Sequence, residues 1–163
     1  MKVLIVSDTH RFDDNLEQVI AEEAPFDALI HLGDAEGSEY LIREWVGEDC
    51  ALYMVMGNND FFSELDREME IELGPHRIFL THGHYYNVSL GVETLAEEAL
   101  ARGCDIAMYG HTHRPYLNQE GPVTVLNPGS LSYPRQEGRR PSYMIMDMDD
   151  TGRVSFHTYF LGK

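Results

Sequence analysis

The sequence contains little positive charge. It has 12 Lys and Arg residues against 28 Asp and Glu, which gives a formal net charge of −16 over 163 residues. A surface this acidic repels phosphate backbones, so binding to long nucleic acid is disfavoured. Cysteine is also scarce: Cys50 and Cys104 match no zinc-finger spacing, and without an export signal we expect both to be reduced, buried and inert.

Long hydrophobic runs are missing as well. No apolar stretch is long enough to span a bilayer, and the first one, residues 3–6, is too short for the core of a signal peptide. We therefore expect a soluble, cytoplasmic protein with no membrane partner. The hydrophobic fraction of 43% is ordinary for a globular protein, and the length predicts a single domain over residues 1–163.

What is present is an alternation of strand and helix patterns. Strands are predicted at residues 3–6, 28–32, 52–56, 68–73, 77–81, 106–109, 124–126, 143–146 and 154–160. Asp13 and Asp14 supply N-cap chemistry for a first helix, and further helices are predicted over 38–46 and 92–102. The spacing of the second helix predicts that Tyr40, Leu41 and Trp45 share one face. This order indicates an α/β domain in which two sheets pack together with helices outside.

Side chains typical of metal ligands follow these strands in short clusters. The clusters are Asp8-x-His10, Gly33-Asp34, Gly57-Asn58-x-Asp60, His82-Gly83-His84 and Gly110-His111-x-His113. Loops at the carboxyl ends of strands converge in α/β folds, so we expect these distant residues to meet. Asp, His and Asn ligands without thiolate suit Mn²⁺, Zn²⁺, Fe²⁺ or Ni²⁺. An Asp shared by two such ions would allow them to activate a common hydroxide.

In this order the clusters resemble the motifs of the calcineurin-like metallophosphoesterase superfamily. The short chain and the Leu-Asn-Pro-Gly-Ser segment at 126–130 resemble its small single-domain prokaryotic branch, the YfcE-like phosphodiesterases. The resemblance extends from Lys2 to about Ser155. It implies a four-layer α/β/β/α sandwich of two mixed β-sheets flanked by helices. It also implies two divalent metal ions, with Mn²⁺ the first choice and Ni²⁺, Zn²⁺ or Fe²⁺ as alternatives.

The resemblance assigns a role to each motif residue. The ligands of one ion would be Asp8, His10 and His113. The ligands of the other would be Asn58, His82 and His111, with Asp34 bridging the two ions. The catalytic group would comprise Asp34, Asn58 and His84, of which His84 either contacts phosphate or orients a ligand.

One position departs from the family pattern. Many members carry a His after the metal-binding Asn, where it acts as general acid or steadies the transition state, but here that position is Asn59. Asn cannot donate a titratable proton, which disfavours esters with poor leaving groups. The prediction is therefore a divalent-metal-dependent phosphodiesterase, in which a metal-bridging hydroxide attacks the phosphorus of a small phosphodiester in line.

Two alternatives remain open. One is a phosphomonoesterase of the same fold, and the other is a protein-binding scaffold similar to a retromer subunit, whose metal site is degraded. The complete ligand set of this chain favours an enzyme. A homo-oligomer is also left open. Asp60 is expected to form a turn or to support the ligands rather than to act as a catalytic base, and His31, His76 and His157 are assigned no function. The basic cluster of Arg135, Arg139 and Arg140 suits either phosphate recognition or a solvated loop.

Overall fold

The computed structural model describes residues 1–162, so that of the predicted domain 1–163 only Lys163 lies outside the described residues. A 3₁₀ helix, His84–Tyr86, precedes the third α-helix. The other elements of this range follow in the order β1 (Lys2–Val6), α1 (Asp14–Glu23), β2 (Ala28–His31), α2 (Glu39–Val46), β3 (Ala51–Met54), β4 (Glu68–Leu73), β5 (His76–Thr81), α3 (Glu93–Ala101), β6 (Ile106–Met108), β7 (Pro115–Asn118), β8 (Thr124–Pro128), β9 (Ser142–Met148) and β10 (Val154–Phe160).

The strands form two mixed five-stranded sheets. In the first sheet the order is β10-β9-β1-β2-β3, and β1, β2 and β3 run parallel. In the second sheet the order is β4-β5-β6-β8-β7, and β5, β6 and β8 run parallel. In each sheet, three neighbouring parallel strands bring their carboxyl ends to the same end of the sheet. This is where the polar clusters of the sequence begin.

Three apolar cores hold the layers in order. The core between the sheets takes side chains from both, including Val3, Ile5, Ile78 and Leu80. Alternate residues of β1 point the other way because successive side chains of a strand face opposite sides. They pack against α1 and α2 in a second core that contains Leu4, Val6, Leu16 and Ile42. A third core joins Phe79 of β5 to Leu95 and Ala99 of α3. The architecture is therefore the predicted four-layer α/β/β/α sandwich.

Two details of the helices differ from the sequence predictions. Asp13 stands at the N-cap position of α1, but its side chain caps no backbone N–H and instead accepts the Ser38 hydroxyl at 2.5 Å. The predicted apolar face of α2 is also wrong, because Ile42 is its buried residue whereas Tyr40 is 89% exposed and Leu41 is exposed too. The short helix turns its aromatic residue Tyr40 toward solvent.

The strand β7 is absent from the sequence predictions. It pairs antiparallel with β8 at the edge of the second sheet. It begins with Pro115, and a proline is tolerated there because an edge strand leaves one row of N–H groups unpaired. Its central residues Tyr116 and Leu117 are exposed, so no apolar alternation marks it in the sequence. The other strands agree with their predicted positions to within about two residues at each end.

Both cysteines are free and buried, as predicted. Burial raises the pKa of each thiol, which keeps it protonated and unreactive. Among residues 1–162, no helix is long and apolar enough to cross a membrane.

Candidate metal centre

Five loops, following β1, β2, β3, β5 and β6, meet at the edge where the two sheets adjoin. One donor atom from each of Asp8, His10 and His113 lies within 4.8 Å of the others, and the same holds for Asp8, Asp34 and His82. The remaining predicted ligands are His111 and Asn58, whose Nδ1 and Oδ1 atoms lie 3.0 Å apart. The His111 ring centroid is 5.2 Å from that of His82. The structure therefore brings all seven predicted ligands together.

The backbone at these ligands is strained. Five of the seven have a φ between 49° and 69°, in the left-handed region that residues other than glycine rarely adopt: Asp8, His10, Asp34, His111 and His113. Hydrogen bonds between loops hold this conformation, since Asp8 N donates to Gly33 O at 3.0 Å and His10 N donates to Asp34 O at 2.8 Å. Strain of this kind concentrates at functional sites, where the surrounding structure has to maintain it.

Two glycines make room for the carboxylates. A Cβ atom on Gly57 would overlap Asp34 Oδ1, and one on Gly110 would lie 2.7 Å from Asp8 Oδ2 and overlap Ser7 Oγ. Neither glycine is needed for a positive φ. Their role is to let the loops after β3 and β6 approach the two acidic side chains closely.

Three histidines are anchored by the same ring nitrogen. The Nδ1–H of His82 donates to Leu32 O at 2.6 Å, and that of His113 donates to Tyr133 O at 2.7 Å. His10 Nδ1 lies 3.2 Å from Glu36 Oε2. A carbonyl oxygen can only accept, so the proton sits on Nδ1 of His82 and His113. Their Nε2 atoms then face the carboxylates, which is the arrangement by which proteins orient metal-binding imidazoles.

Two atoms of the predicted ligands are buried and have no hydrogen-bond partner among the described residues. They are Asp8 Oδ1 and His82 Nε2, 3.7 Å apart. Leaving such atoms unsatisfied in the interior is costly, and a cation between them would satisfy both. The donor set of carboxylates, imidazoles and one amide oxygen has the chemistry that a divalent metal requires. The residues present therefore fit a metal ion.

Charge shapes the ionisation of this cluster. Burial would raise the pKa of Asp8, but the neighbouring His82 and His113 hold it below its ordinary value. Burial would lower the pKa of His82, yet Asp8 and Asp34 raise it to about 9. Burial also opposes ionisation of Asp34, but contacts with His82 and Asn59 lower its pKa. The carboxylates therefore stay ionised and attract positive charge.

Asp60 holds together the loops that follow β2 and β3. Its buried carboxylate accepts hydrogen bonds from the backbone N–H groups of Asp34 at 2.8 Å, Gly57 at 2.7 Å and Glu36 at 2.7 Å. This is the turn-forming role expected from the sequence. Because all of its strong contacts are backbone donors, Asp60 positions Asp34 rather than acting on a substrate.

Asn59 has a role that the sequence did not predict. Its backbone N–H donates to Asp34 Oδ1 at 2.8 Å, and its side-chain amide donates to Asp34 Oδ2 at 2.9 Å. Both oxygens of the predicted bridging carboxylate are therefore held by one residue. The residue at the position where the family resemblance implies a general acid therefore orients a predicted metal ligand.

His31 was assigned no function, but it also supports the centre. It is fully buried, and its Nδ1 accepts the backbone N–H of Gly33 at 3.2 Å, which leaves the proton on Nε2 to donate to Thr9 Oγ1 at 3.0 Å. Burial lowers its pKa to about 4, so the ring is neutral at physiological pH. It ties the first ligand loop to the second. The only sequence signal is its place two residues before Gly33.

The segment after β8 supports the centre from the other side. The Asn127 amide donates to Gly110 O and to Thr112 Oγ1, both at 2.9 Å. The hydroxyls of Ser130 and Ser132 both donate to Asp8 O, at 2.7 Å and 2.9 Å. These side-chain hydrogen bonds explain how Asp8 and the His111 loop are held in register.

His84 lies beside the ligands without joining them. Its ring centroid is 5.5 Å from that of His82 and 6.0 Å from that of His111. Burial, followed by the positive charge of these two neighbours, lowers the pKa of His84 to about 4. The ring is therefore neutral near pH 7, and it can form a hydrogen bond to a ligand without supplying a charge.

In the basic cluster, the guanidinium of Arg140 contacts the end of β10. Arg140 donates to the backbone carbonyls of Phe160 at 3.3 Å and Gly162 at 2.7 Å. Arg135 contributes its backbone N–H to His113 O at 3.0 Å. All three arginines are exposed, as expected for the solvated-loop alternative.

Comparison with known proteins agrees with this geometry. A family model described as the calcineurin-like phosphoesterase superfamily domain matches residues 1–151, which include every predicted ligand. Phosphodiesterase YfcE of Escherichia coli (strain K12) is 33% identical over 173 residues, which cover 91% of this chain and 89% of YfcE. A predicted phosphoesterase from Streptococcus pneumoniae TIGR4 has a solved structure with 27% identity and a TM-score of 0.79, covering 98% of this chain and 97% of that one. Vps29 from Entamoeba histolytica, solved with Zn²⁺, is similar in fold, with 22% identity and a TM-score of 0.76 over 98% of this chain and 99% of that one.

Proposed function

Because the chain belongs to the calcineurin-like phosphoesterase superfamily, we propose that it is a divalent-metal-dependent phosphodiesterase acting on a small phosphodiester. The observation that carries this proposal is the pair of buried, unpartnered atoms Asp8 Oδ1 and His82 Nε2 inside a cluster of seven metal-type ligands. The scaffold alternative is supported only by the likeness of fold to Vps29.

The proposed centre holds two ions. One would be bound by Asp8, His10 and His113, and the other by Asn58, His82 and His111. Asp34 Oδ2 lies 3.8 Å from His10 Nε2 and 3.4 Å from His82 Nε2, between one member of each set. Asp8 Oδ1 lies 3.7 Å from each of the same two nitrogen atoms. Of the two carboxylates, Asp34 would be the bridging ligand, as the resemblance to the family motifs implies.

The chain's own groups favour diesters with good leaving groups. Divalent ions, Mn²⁺ first among those that suit this ligand set, would supply an activated water and Lewis-acid polarisation of the phosphoryl oxygens. His84, neutral near pH 7, would donate a hydrogen bond to a phosphoryl oxygen. The Asn59 amide is engaged with Asp34 and carries no titratable proton, so the leaving alkoxide or phenoxide departs without acid assistance from this position.

The test is hydrolysis of bis-p-nitrophenyl phosphate by the full chain after chelation and again after Mn²⁺ is added back. We expect chelation to remove the activity and Mn²⁺ to restore it. We also expect the diester to be hydrolysed faster than p-nitrophenyl phosphate at saturating metal. A folded protein without metal-restored activity would rule out the enzyme, and a faster monoester reaction would assign it to the phosphomonoesterase alternative.

A further inference from the structure

A groove of about 970 Å³ adjoins the metal centre. Its inner wall includes His10, a predicted metal ligand, and Asn59, which binds Asp34. The groove extends outward between the loop after β1, the start of α2 and the loop after β3. A cavity of this size falls in the range that accommodates small organic ligands. Whatever occupies it lies directly beside the position of a phosphate bound at the centre.

Four aromatic side chains line the groove, and most of their surface is exposed: Phe12 (62%), Tyr40 (89%), Phe61 (78%) and Phe62 (101%). Grouped exposed rings mark interaction sites, because isolated exposure is common but contiguous apolar patches are rare. The packing of the fold does not account for these rings. Tyr40, in particular, points away from the core that its helix covers.

The rings are attached to the metal centre by short, fixed connections. Phe61 and Phe62 follow directly after Asp60, whose carboxylate is bound by three backbone N–H groups of the ligand loops. Phe12 meets the ring of Tyr133 edge-on at 5.4 Å, and Tyr133 in turn meets His10 edge-on at 5.5 Å. The aromatic side chains therefore reach a predicted metal ligand. A ligand that binds them would lie next to the metal centre, as a part of the substrate does.

Charge around the groove restricts that group. Glu36, Glu39 and Glu64 line it, against the single guanidinium of Arg11, whose Nε–H is already donated to Glu36 O at 2.7 Å. A second phosphate or the next nucleotide of a chain would be repelled from such a surface. An uncharged planar ring would lose little there and would gain contact with the aromatic side chains.

We propose that this groove is the subsite for the organic group esterified to the phosphate, and that it takes an uncharged aromatic ring. The substrate class is then a phosphodiester with an aryl or similarly planar apolar group and no further anionic group. This inference rests on the proposed phosphodiesterase function, because it takes the phosphate to lie at the metal centre.

The test compares two diesters of equal charge, diphenyl phosphate and diethyl phosphate, by isothermal titration calorimetry with the Mn²⁺-loaded full chain. Diphenyl phosphate presents a ring in either orientation, whereas diethyl phosphate presents none. We expect diphenyl phosphate to bind about tenfold more tightly, as stacking on aromatic side chains allows. The double variant Phe61→Ala, Phe62→Ala should lose most of this preference, and Phe160→Ala, an exposed Phe at the opposite edge of the first sheet, should retain it.

Equal binding of the two diesters by the unaltered chain would overturn the subsite. So would a preference that survives the double variant. If the unaltered chain self-associates in sedimentation, and the double variant stays monomeric but keeps the preference for diphenyl phosphate, the groove is a contact surface between copies of the chain. Calorimetry does not depend on turnover, so absence of metal-restored hydrolysis would overturn the proposed function separately, whatever the ratio of the two affinities. Both phenylalanines are exposed, and thermal unfolding of the double variant would verify that it is folded.

Discussion

The strand β5 has a histidine at each end, and the two are treated differently. At its start, His76 has both ring nitrogens satisfied, since Nδ1 lies 2.6 Å from Asp105 Oδ2 and Nε2 lies 2.7 Å from Gly152 O. Just beyond its end, His82 donates Nδ1–H to Leu32 O, but its Nε2 is buried without a hydrogen bond. Both ring nitrogens of His76 have hydrogen-bond partners, whereas Nε2 of His82 has none among residues 1–162.

This difference separates stability from function within a single strand. Acceptors on both sides of His76 favour its charged, doubly protonated ring, and they raise its pKa against the effect of burial. The surroundings of His82 instead hold two carboxylates, Asp8 and Asp34, at 3.7 Å and 3.4 Å from the free nitrogen. Substitutions near His76 should therefore change stability, while substitutions near His82 should change metal binding and activity. The same kind of substitution at each end tests that separation.

The largest effect is expected from Asp34→Asn. Loss of the bridging carboxylate should remove one of the two ions and lower bis-p-nitrophenyl phosphate hydrolysis about a hundredfold or more, because metal ions supply several kcal/mol of transition-state stabilisation. Elemental analysis would count the ions per chain, and initial rates at saturating Mn²⁺ would give the activity. Two ions retained by the variant would contradict the bridging role.

The matched control is the same substitution at the other end of β5, Asp105→Asn. Asp105 binds His76 and the Arg77 N–H and contacts no predicted metal ligand. We expect two ions and unchanged activity, together with a lower melting temperature. A loss of activity in the control comparable to that of Asp34→Asn would show that the two ends are coupled.

The next effect is the stabilisation of the folded chain by metal bound at the His82 end of β5. Mn²⁺ at about a hundred times its dissociation constant should stabilise the folded chain by about 2.7 kcal/mol. For a domain of this size, that corresponds to a rise of about 5–10 °C in melting temperature. Calorimetric scans with and without Mn²⁺ would measure it. The rise should persist in Asp105→Asn and shrink in Asp34→Asn, and no rise in the unaltered chain would argue against a preformed site.

Much of the fold was predictable because its buried strands consist of short apolar runs that are visible in the sequence. The run at residues 3–6 is buried on both faces, and the strand appears there. β7 was missed because a half-exposed edge strand that begins with Pro115 has no apolar alternation. The face of α2 was mistaken since its eight residues offer more than one apolar stripe, and only contacts with α1 and the first sheet select Ile42.

The residues that meet at the centre were predictable from motif spacing, but the residues that support them were not. Asn59 and His31 act through hydrogen bonds with Asp34, Thr9 and Gly33, and which partner each one meets depends on how separate loops approach in space. The positive φ of Asp8 and His10 was not predictable either, because no glycine stands near these two residues in the sequence. The sequence therefore predicted which residues meet, and the folded loops determine how their side chains are oriented.

A smaller effect is expected from Glu36→Gln, which alters one of these supports. Glu36 Oε2 holds His10 Nδ1 at 3.2 Å. Loss of such a partner typically weakens metal binding by about tenfold or somewhat more. Calorimetric titration of the chelated protein with Mn²⁺ should show the weaker of two affinities reduced by this factor. Glu39→Gln, which removes a nearby groove carboxylate that does not bind His10, serves as the control and should leave both affinities unchanged.

The smallest effect is expected from His76→Gln, at the start of β5. The pKa of His76 is raised in the folded chain, so its contribution to stability is fully present below its unfolded pKa and is lost as the pH rises through the folded value. Half-exposed pairs contribute less than about 1 kcal/mol, so the variant should melt only a few degrees lower near pH 5.5 and closer to the unaltered chain above pH 8. Melting temperatures of the chelated proteins across this range would measure the difference.

The control is a double variant. Because Asp105 is the partner of His76, His76→Gln should lower the melting temperature little further in the Asp105→Asn background. A melting difference that grows with pH, or one that is additive with Asp105→Asn, would show that His76 is not held by this carboxylate.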